Sequence, residues 1–572
     1  MSFNRVNIAT SGRSHQDLSA TSYGTSDFGR INLEYYTELV PGDTAKITLS
    51  SFRRCAPLAR PTNASCKEYI RAFFVPHRLH SVKPENASVS DFSFNPWITG
   101  NSDVEHPYVL LDDLRLAITY ADDPNIAAIQ KFDSPRILDY ARFLSQLKYS
   151  EFVFNTRPSD EIAGTTDDRV SPFIARSYQL IWWYWFRDSS RIEEKFLSDY
   201  IPLTHAGVQA LDEVVKWHTP RYACFRKDYF TTAFQKPQQS GSATSPNLGS
   251  TGIASYGLQV YDPNNVINNN TGSTIHPGAS VNNVPVQWER AADALQHYLE
   301  RNNIAGTRDI ERLLARFGNT PKDAIMHIPQ YLGGSSQELQ IGDVTSPITM
   351  ETENSTSTDS FGLIDGSLAG QLAGKGGLSH RSDTIEFHAQ EFGTLMVVSY
   401  IVPSVGYYQG IPRELMRGTT NDKFDYFTPE FEGLGFQPVY AAELYQDSNI
   451  SSTKVFGWQP RYSDYKHKED TVHGDLVMKE TFTGMSSFHT LRIFNDEPLN
   501  TTEFSLITPA ARLALNRIFA VPGSYCQLDH FEGWCHVECH IMRPMRDEAL
   551  PELENDNQKG KSVQIEYGGT RM

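Results

Sequence analysis

Apolar and polar positions alternate with period two from Phe28 to Ser50. Ile31, Leu33 and Tyr35 stand against Asn32 and Glu34, then Ala45, Ile47 and Leu49 against Lys46 and Thr48. Pro41-Gly42-Asp43 separates the runs, so the pattern predicts two antiparallel strands paired through a Pro-Gly turn, each with one buried face. Glu68 to Val75 continues the strand pattern and stops at Pro76. Gly393 to Val402 is a continuous apolar run of strand length, as a strand covered on both faces requires, and Gly533 to Met542 alternates again. Strands therefore bracket the chain, and the expected fold class is mainly β.

Helix signals fall between the strands. Ser134-Pro135 ahead of Ile137 to Leu147, and Thr508-Pro509 ahead of Ala510 to Phe519, each combine an N-cap residue with proline at the first helical position. Ile310, Leu313, Leu314 and Phe317 recur at helical spacing with Arg308, Arg312 and Arg316 opposite, which predicts an amphipathic helix lying on a core. Phe173 to Phe186 is apolar nearly all round and carries Trp182, Trp183 and Trp185. It reads as a buried packing element or a subunit interface, since ligand-stacking aromatics are interspersed with polar residues.

Two segments carry no core of their own. From Pro237 to Pro285, 33 of 49 residues are Gly, Ser, Thr, Asn, Gln or Pro, and only Asp262 is charged. A long variable surface excursion is expected there, with a second variable loop over 345–377.

The 572 residues include 51 Lys and Arg against 68 Asp and Glu, a formal net charge of −17, which excludes a strongly basic nucleic-acid binder. With 39% hydrophobic and 12% aromatic residues, wholesale disorder is excluded too. The charge is uneven. Residues 1–80 carry ten basic against six acidic side chains, while residues 351–450 carry five against fourteen, so either the N-terminal portion faces a polyanion or the asymmetry is ordinary surface scatter. The six cysteines, Cys55, Cys66, Cys224, Cys526, Cys535 and Cys539, are too sparse for a disulfide scaffold and point to a reducing compartment. The first ten residues lack the apolar region of a secretory signal, and no apolar stretch approaches the ~18 residues of a membrane-spanning helix, so no membrane insertion is expected.

Local chemistry motifs are weak. Gly370 to Lys375 has three residues between its glycines where a phosphate-binding loop has four, and Gly376 follows where Ser or Thr should stand. Asp262 and Asn264 begin like a calcium loop that Val266 breaks. The sharpest metal candidate is His536, Glu538 and His540, which on a strand project to one face with two imidazoles and a carboxylate suited to zinc. The competing reading makes that face a solvent or interface face. Asp112-Asp113, Asp122-Asp123 and Asp167-Asp168 either hold a structural divalent cation between subunits or sit in plain loops. No nucleophile stands with its base, so a non-enzyme without a cofactor is expected. The rival class, a β-rich carbohydrate-active enzyme, needs two carboxylates across a cleft, and a host-binding adhesin is a third.

Several segments, in order, resemble the major capsid protein of the microviruses, particularly its gokushovirus-like branch. They are Arg13 to Ser19, with Gln16 where the family has Phe, then Leu39 to Thr44, Phe73 to Leu79, Phe173 to Asp188 and Arg226 to Thr232. Ile304 to Arg308, Pro329 to Gly334, Tyr408 to Arg413, Phe424 to Phe431, Phe456-Gly457-Trp458, Tyr465-Lys466 and Arg543-Pro544-Met545 complete the series. With their flanks these motifs span about half the chain.

The resemblance implies one capsid domain over residues 1–572, an eight-stranded antiparallel jelly roll with large loop and short-helix insertions. It implies a structural protein that assembles into an icosahedral T=1 shell of sixty copies around circular single-stranded DNA, in the cytoplasm of a bacterial host. A small basic DNA-packaging protein, minor pilot or scaffolding proteins and a host surface receptor are the implied partners. The variable insertion, Pro237 to Pro285 with Asn264 and Asn270 at its centre, corresponds to the family's threefold protrusion. Ala233-Phe234-Gln235-Lys236 replaces the family's Ala-Leu-Pro-Trp at its root. Residues 1–30 are expected as an interior arm. Arg5, Arg13, Arg53, Arg54 and Arg60, with nearby Phe and Tyr to stack bases, are the candidate DNA contacts, subunit contacts being the alternative.

Overall fold

The computed structural model describes residues 13–58, 62–80, 108–110, 134–149, 169–192, 211–237, 286–305, 327–345, 372–418, 424–446, 454–477, 489–519 and 529–545. Within these, 434 and 497 are excepted, and positions 114, 311, 313, 314, 317 and 318 are added.

The chain enters through β1 (Ser14–Asp17) and β2 (Ala20–Ser26), which lie end to end along one edge of the final strand, β15 (Phe531–Arg543). The other edge of β15 pairs with β4 (Thr44–Cys55), whose far edge carries β10 (Leu372–Arg381) and β11 (Ile385–His388) end to end. A further strand, β9 (Gln340–Thr345), extends this sheet beyond β10. The second sheet runs β3 (Asn32–Leu39), β12 (Gly393–Pro403), β5 (Cys66–Pro76), β8 (Gln330–Glu338). Two small antiparallel pairs stand apart, β6 (Val109–Leu110) with β7 (Arg169–Val170) and β13 (Phe436–Tyr440) with β14 (Val455–Pro460).

With each end-to-end pair counted as one lane, eight lanes pair first with last. β1/β2 pairs β15, β3 pairs β12, β4 pairs β10/β11 and β5 pairs β8, all antiparallel. Successive pairs fall in opposite sheets. That is a long double ribbon rolled into a sandwich, the jelly roll.

This topology corrects the reading of Pro41-Gly42-Asp43. Both flanking runs are strands, but β3 and β4 belong to different sheets and do not pair. Asp43 shapes the crossing instead: its Oδ2 accepts from the Val40 amide at 3.0 Å and from Arg543 at 2.9 and 3.0 Å. Residues 14–26 are likewise not an arm but the first lane of the roll, while residues 1–12 lie outside the described residues. The ends of the second variable segment are also strand, since Thr345 closes β9 and 372–377 open β10, whereas 346–371 lie outside the described residues.

Insertions carry the helices: α1 (Ser134–Gln146), α2 (Phe173–Ile181) running on as a π turn over Trp182–Phe186, α3 (Leu211–His218), α4 (Val286–Ala305), α5 (Arg413–Met416), α6 (Ala441–Leu444) and α7 (Pro509–Leu515). Thr508 caps α7 as its sequence promised, its hydroxyl accepting from the Ala511 amide. Alternation along β12 divides its buried side chains between two cores. Leu395 and Val397 pack between the sheets with Ile47 and Val537, while Met396, Val398 and Tyr400 pack outward under α1, α2 and α3. The Trp-rich segment is that cover, with Trp182 and Trp183 buried. The stripe at 310–317 corrects another expectation. Leu314 and Phe317 are helical, yet 50% and 75% exposed, so among the described residues no core covers them. Amphipathic spacing says which face is apolar and not which chain covers it.

Candidate functional site

The interior of the roll is tied by charge. Arg53 on β4 points between the sheets, 1% exposed. There its Nε donates to Glu68 Oε1 on β5 at 3.0 Å, and its Nη2 meets Glu34 on β3 and donates to Ser399 Oγ on β12 at 3.2 Å. Ser51 and Ser399 donate to the same two carboxylates at 2.9 and 2.6 Å. Burial pushes the Glu68 carboxyl above its usual value, against the pull of Arg53. This overturns Arg53 as a DNA contact: strand alternation turns it inward, where it clamps one sheet to the other.

A second buried network closes one end of the sandwich. Arg30 Nη2 donates to Asp529 Oδ2 at 2.6 Å and its Nη1 to Asp139 Oδ1 on α1 at 3.1 Å. Arg512 of α7 reaches Asp139 and, at 3.3 Å, Asp27. Burial raises the Asp139 and Asp529 carboxyls, but Arg512 and Arg30 outweigh it and hold both below the ordinary Asp value.

The exposed chemistry lies on the outer face of the larger sheet. Arg54, next to Arg53, points out and stacks over Phe52 at 5.0 Å. Arg13 is exposed just before β1, while Arg5 and Arg60 lie outside the described residues. His536, Glu538 and His540 do share this outer face, as their alternation requires, but each is engaged separately. His536 Nδ1 lies 2.8 Å from the Thr21 hydroxyl, Glu538 accepts from Arg381 at 2.6 Å, and His540 stacks on His15 with Asp17 3.5 Å away. Among the described residues no three His, Cys, Asp or Glu side chains gather as a metal site. The acidic pairs at 112–113, 122–123 and 167–168 lie outside the described residues.

A cleft of about 170 Å³ lies beside α5, lined by Tyr229, Tyr407, Arg413, Glu414, Glu443 and Glu469 among others. Its central carboxylate is structural. Glu443 accepts from the Tyr440 amide at 2.8 Å and pairs with Arg413 at 3.3 Å.

At the root of the variable insertion, Phe234 and Trp458 exchange backbone hydrogen bonds of 2.8 and 2.9 Å, and Asn303 near the end of α4 donates to the Lys236 carbonyl at 2.9 Å. Pro237 is half-buried beside this root; Asn264, Asn270 and Pro285 lie outside the described residues.

Sequence reasoning missed the row Tyr23, Trp534 and Phe52, which crosses three neighbouring strands on the outer face. Its signal was available. Phe52 and Trp534 occupy the polar phase of their alternating strands, between Ser50 and Arg54 and between Glu532 and His536.

An eight-lane roll whose buried charges are spent on clamping strands and helices together is the architecture of a jelly-roll structural protein. The capsid protein (F protein) family of phages matches residues 4–83 and 159–551, and the chain belongs to that family. It is similar to capsid protein VP1 of Bdellovibrio phage phiMH2K, 25% identical over 533 residues covering 86% of this chain and 88% of the relative. It is also similar to VP1 of Chlamydia phage 1, at 24% over 619 residues covering 96% and 97%, and to VP1 of Spiroplasma virus 4, at 25% over 356 residues covering 54% and 60%. The chain is thus a viral capsid structural protein of microvirus type and not an enzyme, and the carbohydrate-active reading falls. No helix among the described residues is long and apolar enough to cross a membrane.

Proposed function

We propose that the chain closes into a small icosahedral T=1 shell of about sixty copies around the circular single-stranded DNA of a bacteriophage, assembled in the host cytoplasm. The carrying observation is the match to Chlamydia phage 1 VP1 over 96% of this chain and 97% of that protein, on a jelly-roll scaffold. Exposed apolar side chains on helices, Leu295 and Ile304 on α4 and Phe317 beyond it, are surfaces for neighbouring copies.

A subunit of net charge −17 cannot neutralise packaged phosphates unaided. A small basic packaging protein and the exposed Arg13 and Arg54 supply the cations, with Arg5 and Arg60 as further candidates. Minor pilot or scaffolding proteins complete the assembly. The 237–285 insertion contacts the host receptor, as a neutral surface excursion avoids charge repulsion where copies converge.

Nuclease protection combined with electron microscopy on particles from the source tests this reading. Closed shells that shield single-stranded DNA are expected. A chain that stays monomeric with no protected DNA would overturn it.

A further inference from the structure

We propose that the row Tyr23, Trp534 and Phe52, with Arg54 against its end ring, is a base-stacking platform for single-stranded DNA. The proposal rests on the packaging reading and names where on the subunit the strand lies.

Four observations carry it. Register places the three rings side by side: Trp534 stands directly opposite Tyr23 on β2 and opposite Phe52 on β4. The rings of Phe52 and Trp534 are stacked, 6.2 Å between centroids and 27° between planes, and Tyr23 is 79% exposed. The Arg54 guanidinium caps the row 5.0 Å above Phe52 and, among the described residues, has no carboxylate partner, although Glu532 stands across from it on β15. Hydroxyls flank the rings, Thr21 and Thr25 on β2, Ser50 on β4 and Ser379 on β10.

This composition selects the ligand. A protein partner would bury rings among further apolar side chains, whereas here the row is bordered by polar residues. Bases offer flat faces to the rings and polar edges and phosphates to the hydroxyls and Arg54. The nearby charges nearly cancel, since Arg381 is paired with Glu538 and Glu532 faces Arg54. Stacking rather than ion pairing therefore holds the strand, and single strands are preferred over duplex, whose bases are already stacked on one another.

The test uses the full chain in assembled particles, photo-crosslinked to their DNA and mapped by peptide mass spectrometry, with anisotropy titration of the purified chain by fluorescein-labelled oligothymidylate. Crosslinks at Tyr23, Phe52 or Trp534 are expected. Tyr23→Ala and Phe52→Ala should each weaken oligothymidylate binding about tenfold or more, Tyr23→Phe should preserve it, and duplex of equal length should compete poorly. The exposure of Tyr23 keeps its variants folded, so the result does not depend on the half-buried rings. Particles that shield DNA but crosslink elsewhere, with Tyr23→Ala binding unchanged, overturn the platform and leave packaging standing. So does Tyr23→Ala that blocks shell closure at unchanged DNA affinity, which makes the row a contact with a second copy. Particles that shield no DNA overturn both.

Discussion

Arg53 of β4 and Glu68 of β5 meet between the two sheets, Nε to Oε1 at 3.0 Å, with both side chains enclosed. Because Glu34 shares the same guanidinium, removing Arg53 strands two carboxylates in the core. Arg53→Met should destabilise the subunit by about 3–5 kcal/mol, and adding Glu34→Gln and Glu68→Gln should recover most of that loss. Urea unfolding of the parent and these two variants checks it. A loss below about 1 kcal/mol for Arg53→Met, the value of an exposed pair, would show that water reaches the clamp.

The network at the end of the sandwich sets an acid limit. Asp139 and Asp529 are held below the ordinary Asp value of 3.8, since their arginine partners outweigh burial. A depressed folded value contributes stability that is present above the unfolded value and lost as pH falls through the folded one. Stability should therefore drop steeply below about pH 4. Asp139→Asn should lower stability at pH 7 and flatten that acid limb, as thermal unfolding between pH 2 and 7 would record.

Glu443 behaves in the opposite sense. Burial pushes its carboxyl up to about 7, with Arg413 and the Tyr440 amide offsetting only part of the shift. A raised folded value gives stability that is complete below the ordinary 4.5 and lost as pH rises through about 7. Glu443→Gln, which keeps the acceptor for the Tyr440 amide, should match the parent at pH 5 and exceed it by about 2–3 kcal/mol at pH 8. Equal melting temperatures for the two proteins at pH 8 would contradict this.

Strand identity was legible because alternation is local, and strand partners were not. The runs around Pro41-Gly42-Asp43 looked like a hairpin, yet rolling the ribbon sends neighbouring strands to opposite sheets, a decision made by β12 and β15 hundreds of residues away. The first lane escaped notice because β1 and β2 are edge segments of polar residues, with Leu18 as their apolar contact to the inter-sheet core. For the functional residues the same alternation was decisive. Read strictly, it turns Arg53 inward and Phe52 and Arg54 outward, so the phase of β4 separates a structural arginine from an exposed one. The extent expected for the insertion rests on composition alone, and residues 238–285 lie outside the described residues.

The insertion at 237–285 gives the last prediction, through the geometry of its feet. Lys236 is held by Asn303, near the end of α4, but the chain re-enters that helix at Val286. Seventeen residues at the helical rise of 1.5 Å place those points about 25 Å apart. A replacement for all of residues 237–285 must then span the length of α4, which takes about eight extended residues. A Gly/Ser linker of about fifteen should give closed, DNA-protecting particles that no longer adsorb to host cells. A linker of two or three should pull α4 from Lys236 and block assembly. Electron microscopy, nuclease protection and adsorption counts separate these cases. Undiminished adsorption of the long-linker particles would move the receptor contact away from the insertion, and assembly of the short-linker chain would mean that the seat of α4 on Lys236 is dispensable to the shell.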